Sequence, residues 1–237
     1  MKSLLALWLS LVTGLAAAQA GPSAAEAAAY TGLHAAAWRC DAAAVARADR
    51  AALETRDGHG RTPLHVATFA RRRDVIRALA KAGADLGALE NDRYDAVTIA
   101  AVADDEATLA VLLELGASAG LTTSRYDGTA LIAAAHLGHD GVVRQLIKAG
   151  APLDHVNNLH WTALIEAVVL GDGGARHQRV VHELLAAGAN AQLTDREGRT
   201  PLALARSRGY TAMVRQLETA CGSGAAGLRH AQQSCES

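Results

Sequence analysis

The hexapeptide Thr62-Pro63-Leu64-His65-Val66-Ala67 decides the fold, because related hexapeptides recur along most of the 237-residue chain. The nearest copy is Thr200-Pro201-Leu202-Ala203-Leu204-Ala205. The six copies begin at Thr31, Thr62, Asp95, Thr129, Thr162 and Thr200, with spacings of 31, 33, 34, 33 and 38 residues. A period of this size indicates stacked repeats, because one such unit cannot bury its own apolar face.

A second landmark keeps the same register. Gly-Ala pairs begin at Gly83, Gly116, Gly150 and Gly188, and the first three lie 21 residues after the start of their repeat. Each repeat is therefore predicted as two helices, the first capped by Thr and the second ended by a left-handed Gly. The fifth repeat carries five extra residues around 171–177, which we interpret as a loop insertion and a candidate contact.

These units resemble ankyrin repeats. The resemblance rests on the T-P-L-H-x-A start at Thr62, the Gly83-Ala84-Asp85 stop and the turn at 57–61, and it covers residues 31–221. It implies six helix-turn-helix units, joined by projecting β-hairpins and stacked into an all-α solenoid. The third unit has Asp95 in place of Thr, so its hairpin is expected to be irregular. The first unit is two residues short and is expected to serve as a cap.

The composition agrees with closely packed short helices. Ala accounts for about a quarter of the residues, whereas aromatic residues account for only 3%. That aromatic content excludes an ordinary aromatic-rich core, and the 50% hydrophobic content excludes a disordered chain. A net charge of −1 gives no indication of nucleic-acid binding.

The first twenty residues are predicted to be a secretory signal peptide. Lys2 precedes an apolar stretch from Leu4 to Leu15, and Ala18-Gln19-Ala20 is an A-x-A cleavage site. Cleavage after Ala20 would export the protein, and the Ala-rich signal favours the bacterial periplasm; an uncleaved cytosolic protein is the alternative. Residues 21–30 are predicted to form an N-terminal cap, because Ser23 and Glu26 match a capping box; a frayed leader remnant is the alternative.

Ten His residues are enough for metal binding or acid–base catalysis, but their spacing favours neither. His136 and His139 lack neighbouring Cys or carboxylates at a metal spacing, and no catalytic or phosphate-loop motif is present. The sequence therefore predicts no enzyme and no cofactor. His34 and His65 occupy the repeat's own His position, where the resemblance implies a structural hydrogen bond between units.

Three cysteines would remain after processing. Cys221 and Cys235 flank a Gly-rich segment, and an oxidising compartment favours a disulfide between them, which would tie the tail at 222–237 to the last repeat. Two free thiols on a disordered tail are the alternative. Cys40 is then the odd thiol, expected to be buried between units, with a redox or intermolecular role as the alternative.

The resemblance places partner contacts on the hairpin tips and on the inner face of the first helices. The residues at those positions are Trp38, His59, Arg61, Phe69, Tyr94, Tyr126, His136, His160, Trp161, Arg196 and Arg199. Trp, Tyr and Arg are enriched at interface hot spots, although Phe69, Tyr94 and Trp161 can instead pack between repeats. We therefore expect a monomeric, non-catalytic module that binds a protein, neither nucleic acid nor membrane. A redox or metal role for Cys40 and the His set, and an adaptor role in an exported toxin system, are the alternatives.

Overall fold

The computed structural model describes residues 21–220. The predicted signal peptide and the predicted Cys221–Cys235 disulfide lie outside these residues. The chain divides into two compact units, Met1–Ser118 and Ala119–Ser237. The first unit contains repeats one to three and the second contains repeats four to six, and each unit has the helical ankyrin-repeat architecture predicted above.

The first unit is entirely helical apart from its turns. Repeat one has three short helices after the N-terminal helix, whereas repeats two and three have two helices each. The elements are α1 (Ala24–Ala29), α2 (Gly32–Arg39), α3 (Ala42–Ala46), α4 (Arg50–Leu53), α5 (Pro63–Phe69), α6 (Arg73–Ala82), α7 (Ala96–Val102) and α8 (Glu106–Glu114). The first helices α2, α5 and α7 pack side by side, and the second helices form a layer behind them.

The second unit repeats this arrangement. Its elements are α9 (Ala130–Leu137), α10 (Asp140–Lys148), α11 (Ala163–Val169), α12 (Ala175–Ala186), α13 (Pro201–Ser207) and α14, which is described over 211–220. Helix α11 packs between α9 and α13, and α12 packs against α10. The extra residues of the fifth repeat form a longer second helix, α12, as well as a longer loop before it.

The first helix of each repeat begins where the sequence predicted. The side chains of Thr129, Thr162 and Thr200 accept a hydrogen bond from the third helical N–H. Asp95 performs the same capping through its carboxylate, which accepts from Thr98 N–H at 2.8 Å. Asp therefore replaces Thr in the third repeat without loss of the cap, as expected from the similar capping preference of the two residues.

The predicted Gly stops are confirmed. Gly83, Gly116, Gly150 and Gly188 all have φ between 81° and 94°, a left-handed conformation that L side chains adopt at a cost. Each ends the second helix of its repeat and turns the chain toward the next hairpin. The regular spacing of these glycines therefore sets the length of the helix pair.

Aliphatic side chains fill the core of each unit. Leu64, Ile76 and Leu109 are fully buried in the first unit, as are Leu164 and Leu184 in the second. Tyr94 is the one aromatic hydrophobic side chain in the buried core of residues 21–220. Small Ala residues between the helices let their backbones approach closely, which explains how so few aromatics suffice.

The loops between repeats differ from the implied β-hairpins. Within residues 21–220 they contain no strands, only an isolated bridge between Thr123 and Gly128. Each tip instead closes around one polar side chain, which accepts hydrogen bonds from the backbone N–H groups two and four residues later. These side chains are Asp57, Glu90, Ser124, Asn157 and Asp195. The turn closes within a few residues, so no ladder can develop.

The third repeat's hairpin is not irregular, so that expectation was wrong. Glu90 N–H donates to the Tyr94 carbonyl at 3.0 Å, as Asp57 N–H donates to Arg61 and Asp195 N–H to Arg199 in the other repeats. Glu90 also supplies the side-chain oxygen that closes the turn. The longer Glu side chain therefore replaces Asp in this role.

Cys40 is exposed, which contradicts its expected burial between repeats. It follows α2 in the left-handed conformation, with φ of 66°. Arg71, Asp104, Gly138 and Gly209 lie at the equivalent position of other repeats and share that conformation. The residue therefore serves as a helix stop, and its side chain leaves the helix pair at the turn.

Candidate partner-binding surface

We define the inner surface of each unit as its hairpin tips together with the first helices of its repeats. In the first unit these helices are α2, α5 and α7, and in the second they are α9, α11 and α13. The residues predicted to contact a partner all lie on these elements, on the tips or just before or within the first helices. Their exposure differs sharply between the two units.

In the first unit the N-terminal segment, residues 21–30, lies on the inner surface. Glu26 Oε1 is 2.8 Å from His59 Nε2 and 3.3 Å from Arg61 Nη1. The Tyr30 hydroxyl donates to Asp57 Oδ2 at 2.7 Å, and Gly21 lies against the Phe69 ring. These contacts connect the segment to the tip and first helix of repeat two.

Arg61 is consequently buried, with only 7% of its side chain exposed. Its guanidinium lies between Glu26 and Asp57, and its Cζ is 5.7 Å from the centre of the Phe69 ring. The prediction of Arg61 as an open contact residue was therefore wrong. The sequence suggested no reason for this burial, because the carboxylate that covers Arg61 is 35 residues away.

The capping box predicted at Ser23 and Glu26 is present. Glu26 N–H donates to Ser23 Oγ, and Ser23 N–H donates to Glu26 Oε2 at 2.8 Å. The pKa of Glu26 is lowered, first by its hydrogen bonds with Ser23 and then by Arg61 and His59. The carboxylate that starts this short helix therefore also contacts the hairpin tip of repeat two.

Tyr94 is also buried, with 4% of its surface exposed, so it is not an open hairpin contact as predicted. It directly precedes the cap of α7, and its backbone carbonyl accepts a hydrogen bond from His65 Nε2 at 3.1 Å. Its side chain belongs to the core. Trp38 and Phe69 are half-buried, and His59 is exposed.

The second unit presents a more open inner surface. Tyr126 and Trp161 are half-buried, and His160 is exposed at a tip where its φ is 63°. Adjacent tips are joined by the Asn158 N–H, which donates to the Tyr126 carbonyl at 2.9 Å. These three predicted residues are therefore brought onto neighbouring hairpin tips of one unit.

Arg196 and Arg199 are exposed on the last hairpin of this surface. Arg196 donates to the Asn158 carbonyl at 3.0 Å, which connects its tip to the preceding one. Arg199 lies 2.7 Å from Asp195 and 3.0 Å from Glu197. The hydrogen bond with Asp195 raises the pKa of Arg199, and the guanidinium is paired with both carboxylates.

A polar group that the prediction missed lies beside His136. Glu166, in α11, is almost fully buried, and its Oε2 is 3.3 Å from His136 Nδ1. Glu166 Oε1 accepts from Asn157 Nδ2 at 3.0 Å, and Asn157 Oδ1 accepts from Trp161 N–H. The signal was available, because the equivalent positions carry Ala35, Val66, Ile99, Ala133 and Leu204.

The insertion of the fifth repeat is tied to both neighbouring repeats. His177 Nε2 donates to the His136 carbonyl at 2.9 Å, and its Nδ1 contacts Asp172 at 2.9 Å. The Tyr210 hydroxyl donates to the Gly171 carbonyl at 2.9 Å. The loop predicted as a candidate contact therefore also braces the second unit, with Asp172 exposed at its surface.

The two histidines at the repeat's own His position in the first unit act as the resemblance implied. His34 Nε2 donates to the Arg61 carbonyl at 2.8 Å, and His65 Nε2 donates to the Tyr94 carbonyl. Burial lowers the pKa of His65 to about 4, so it is neutral at pH 7. Within residues 21–220 no three His, Cys, Asp or Glu side chains lie together as metal ligands do, and no helix there is long and apolar enough to cross a membrane.

Comparisons with known proteins agree with this architecture. Models described as "Ankyrin repeat" and "Ankyrin repeats (3 copies)" match residues 59–91 and 97–176. A putative ankyrin repeat protein of Escherichia coli, YahD, is 34% identical over 166 residues, which cover 70% of this chain and 82% of that protein. The chain belongs to the ankyrin-repeat family.

Solved structures and a eukaryotic relative extend the likeness. An ankyrin repeat domain from Acinetobacter baumannii has 41% identity and a TM-score of 0.74, covering 79% of this ankyrin-repeat protein and 96% of that chain. The human neurogenic locus notch homolog protein 1 is 33% identical over 150 residues, which are 63% of this chain but only 6% of that protein. Ankyrin repeats of this family are typically non-catalytic protein–protein interaction modules.

Proposed function

We propose that this ankyrin-repeat protein binds a protein partner without catalysis, through the inner surface of its second unit. The observation that carries the proposal is the grouping of Tyr126, His160 and Trp161 on adjacent hairpin tips. Trp and Tyr are among the residues most enriched at interface hot spots, and each offers a large contact area with few rotatable bonds.

The first unit supports the same assignment by contrast. Its equivalent position Arg61 is covered by the N-terminal segment, and Tyr94 belongs to the core. A partner that approached the first unit would have to displace Glu26 from Arg61 and His59. The second unit presents its aromatic tips without such a segment among residues 21–220.

Export to the bacterial periplasm is part of the proposal. It is supported by the charged start, the apolar stretch and the A-x-A site in residues 1–20. Expression with the native leader in a bacterial host, followed by fractionation and N-terminal sequencing, tests it. We expect a periplasmic product that begins at Gly21; an intact leader in the cytoplasmic fraction would refute export.

The binding surface is tested by Trp161→Ala. Affinity capture from a periplasmic extract, with cross-linking, is compared for the wild type, this variant and Lys148→Ala, which changes an exposed residue of the outer helix α10. We expect Trp161→Ala to reduce recovery of the captured protein at least tenfold, with a melting temperature close to that of the wild type. Equal recovery from all three proteins, or a large fall in melting temperature with recovery intact, would assign Trp161 to packing.

A further inference from the structure

Glu166 is a carboxylate at a position that is apolar elsewhere in the repeats. It is the fifth residue of its hexapeptide, where the other repeats have Ala35, Val66, Ile99, Ala133 and Leu204. Its side chain is only 5% exposed. Burial of a carboxylate destabilises the fold unless its oxygens have hydrogen-bond partners, so we expect both oxygens of Glu166 to be paired.

The carboxylate is only half satisfied within the chain. Oε1 accepts from Asn157 Nδ2 at 3.0 Å, but Oε2 is buried without a hydrogen bond among the described residues. His136 Nδ1 is 3.3 Å from Oε2 and covers it, and the imidazole is itself 12% exposed. The His136 imidazole therefore lies against Oε2 on a first helix of the second unit.

Comparison of the repeats shows what is missing beside Glu166. In the second and sixth repeats an Asp at the tip pairs with the Arg that precedes the first helix, Asp57 with Arg61 and Asp195 with Arg199. In the fifth repeat these two positions hold Asn157 and Trp161. The fifth repeat thus has a carboxylate beside the same turn, that of Glu166, but no arginine at the position before its first helix.

We propose that Glu166 receives an arginine side chain of the protein partner, whose guanidinium reaches Oε2 when the His136 imidazole rotates away. This rests on the proposed function and names the chemistry that the same surface recognises. A guanidinium supplies two parallel N–H donors to a carboxylate, and a desolvated pair of this kind is stronger than a neutral hydrogen bond. The Trp161 backbone N–H is joined to Glu166 through the Asn157 side chain, so the half-buried Trp161 belongs to the same turn as the carboxylate.

The proposal requires one side chain, the His136 imidazole, to rotate. The backbone of His136 is held by His177, which donates to its carbonyl, so rotation of the imidazole leaves α9 in place. His136 Nδ1, 3.3 Å from Oε2, can form an ion pair with it only when the imidazole is protonated, and the neighbouring arginines are engaged elsewhere. Arg199 is engaged by Asp195 and Glu197, and Arg196 by the Asn158 carbonyl.

The test uses the full chain and two small probes, N-acetyl-arginine amide and its uncharged isostere N-acetyl-citrulline amide. Binding is followed by the shift of the Trp161 indole N–H signal in an NMR titration at pH 7.5. We expect saturable binding of the arginine amide, and binding of the citrulline amide weaker by about tenfold, as loss of one charge-assisted contact gives. Equal binding of the two probes, or no binding of either, would overturn the proposal.

Three variants assign the effect to Glu166. Glu166→Gln keeps the shape of the side chain and is expected to abolish the preference for arginine over citrulline, whereas Glu183→Gln, which changes a carboxylate of the outer helix α12, should retain it. His136→Ala uncovers Oε2 and should tighten arginine binding several-fold. If Glu166→Gln does not fold, the His136→Ala titration decides alone, and unchanged or weaker binding there contradicts the proposal.

Failure of the arginine proposal and failure of the proposed function give different results in the probe titration and the capture experiment. If Trp161→Ala loses the captured protein while the wild type binds both probes equally, the surface binds a partner but Glu166 does not receive an arginine. If the arginine amide binds selectively while Trp161→Ala captures as much protein as the wild type, the site is real but does not serve that interaction.

Discussion

His65 makes the stability of the first unit depend on pH. It is fully buried, and desolvation lowers its pKa to about 4 from the value of 6.5 expected in an unfolded chain. Between pH 4 and pH 6.5 this histidine is protonated in the unfolded chain but neutral in the folded one. The contribution of His65 to the free energy of unfolding is therefore complete above pH 6.5 and is lost as the pH falls toward 4. The shift corresponds to about 3 kcal/mol.

We therefore expect the free energy of unfolding to fall between pH 6.5 and pH 4.5, measured by urea denaturation with circular dichroism. In His65→Gln the group that titrates is gone, and the fall over this range should be shallower, although the variant starts from a lower stability. His182, an exposed histidine on α12, provides the control, since His182→Gln should leave the slope unchanged. A slope in His65→Gln equal to that of the wild type contradicts the assignment.

Tyr94 and Trp161 occupy the same position in their repeats but are expected to respond differently to truncation. Tyr94 is buried, so Tyr94→Ala removes core packing and should cost about 3–5 kcal/mol. Trp161 is half-buried at a tip, and Trp161→Ala should cost no more than about 1 kcal/mol. Thermal denaturation of the two variants beside the wild type measures both, and equal losses would place both side chains in the core.

At the level of single residues, the sequence predicted the features that depend on hydrogen bonds between neighbouring residues. It missed the contacts made by residues that are far apart in the chain. The helix caps and the Gly stops depend on hydrogen bonds within a few residues, so the local sequence pattern predicted them. The caps are those at Thr129, Thr162 and Thr200. The burial of Arg61 depends on Glu26, a residue of another element. The repeat pattern does not predict a contact between residues of two different elements.

At the level of elements, the N-terminal segment behaves as part of the first unit. Ala27 is buried, Tyr30 donates to Asp57, and the Tyr30 ring lies 5.5 Å from that of His34. Burial and the hydrogen bond to Asp57 raise the pKa of Tyr30 to about 12, so the hydroxyl keeps its proton at neutral pH. The predicted capping box is confirmed, and its carboxylate has the second role of binding the tip of repeat two.

Tyr30→Phe tests how this segment is held. The substitution removes the donor to Asp57 and leaves a part-buried carboxylate without that bond, which should cost about 1.5–3 kcal/mol. We expect amide hydrogen exchange across Ala24–Ala29 to accelerate, while exchange in α11 stays unchanged. Tyr126→Phe, at a hairpin tip of the second unit, is the matched control and should alter neither region. Unchanged protection of Ala24–Ala29 in Tyr30→Phe would show that the segment is held by other contacts.

The loops between repeats differ from what the family resemblance implied. The family implied β-hairpins, but each tip is closed by a single polar side chain, so the loop needs no strand ladder. The same device tolerates Asp57, Glu90, Ser124, Asn157 and Asp195 because all five offer an oxygen acceptor. A side-chain oxygen acceptor at this position, rather than a particular residue type, is the pattern that predicts the closed turn.

At the level of the whole molecule, a period of about 33 residues was enough to predict the family and the helix pairs. The division into two units at Ser118 was not predicted, because the period passes through it without interruption. The candidate surface was predicted only in part. Position within the repeat placed Tyr126, His160 and Trp161 on hairpin tips, whereas Glu166 was not predicted, although it is the one polar residue at its position in the six repeats.

The most direct test of the central claim is site-specific photo-cross-linking. A benzophenone amino acid replaces Trp161 on the inner surface of the second unit or Lys148 on the outer helix α10, and each protein is irradiated in cells of its host. We expect one discrete adduct of higher mass from position 161 and none from position 148. Adducts of the same pattern from both positions, or none from position 161, would contradict a binding role for this surface.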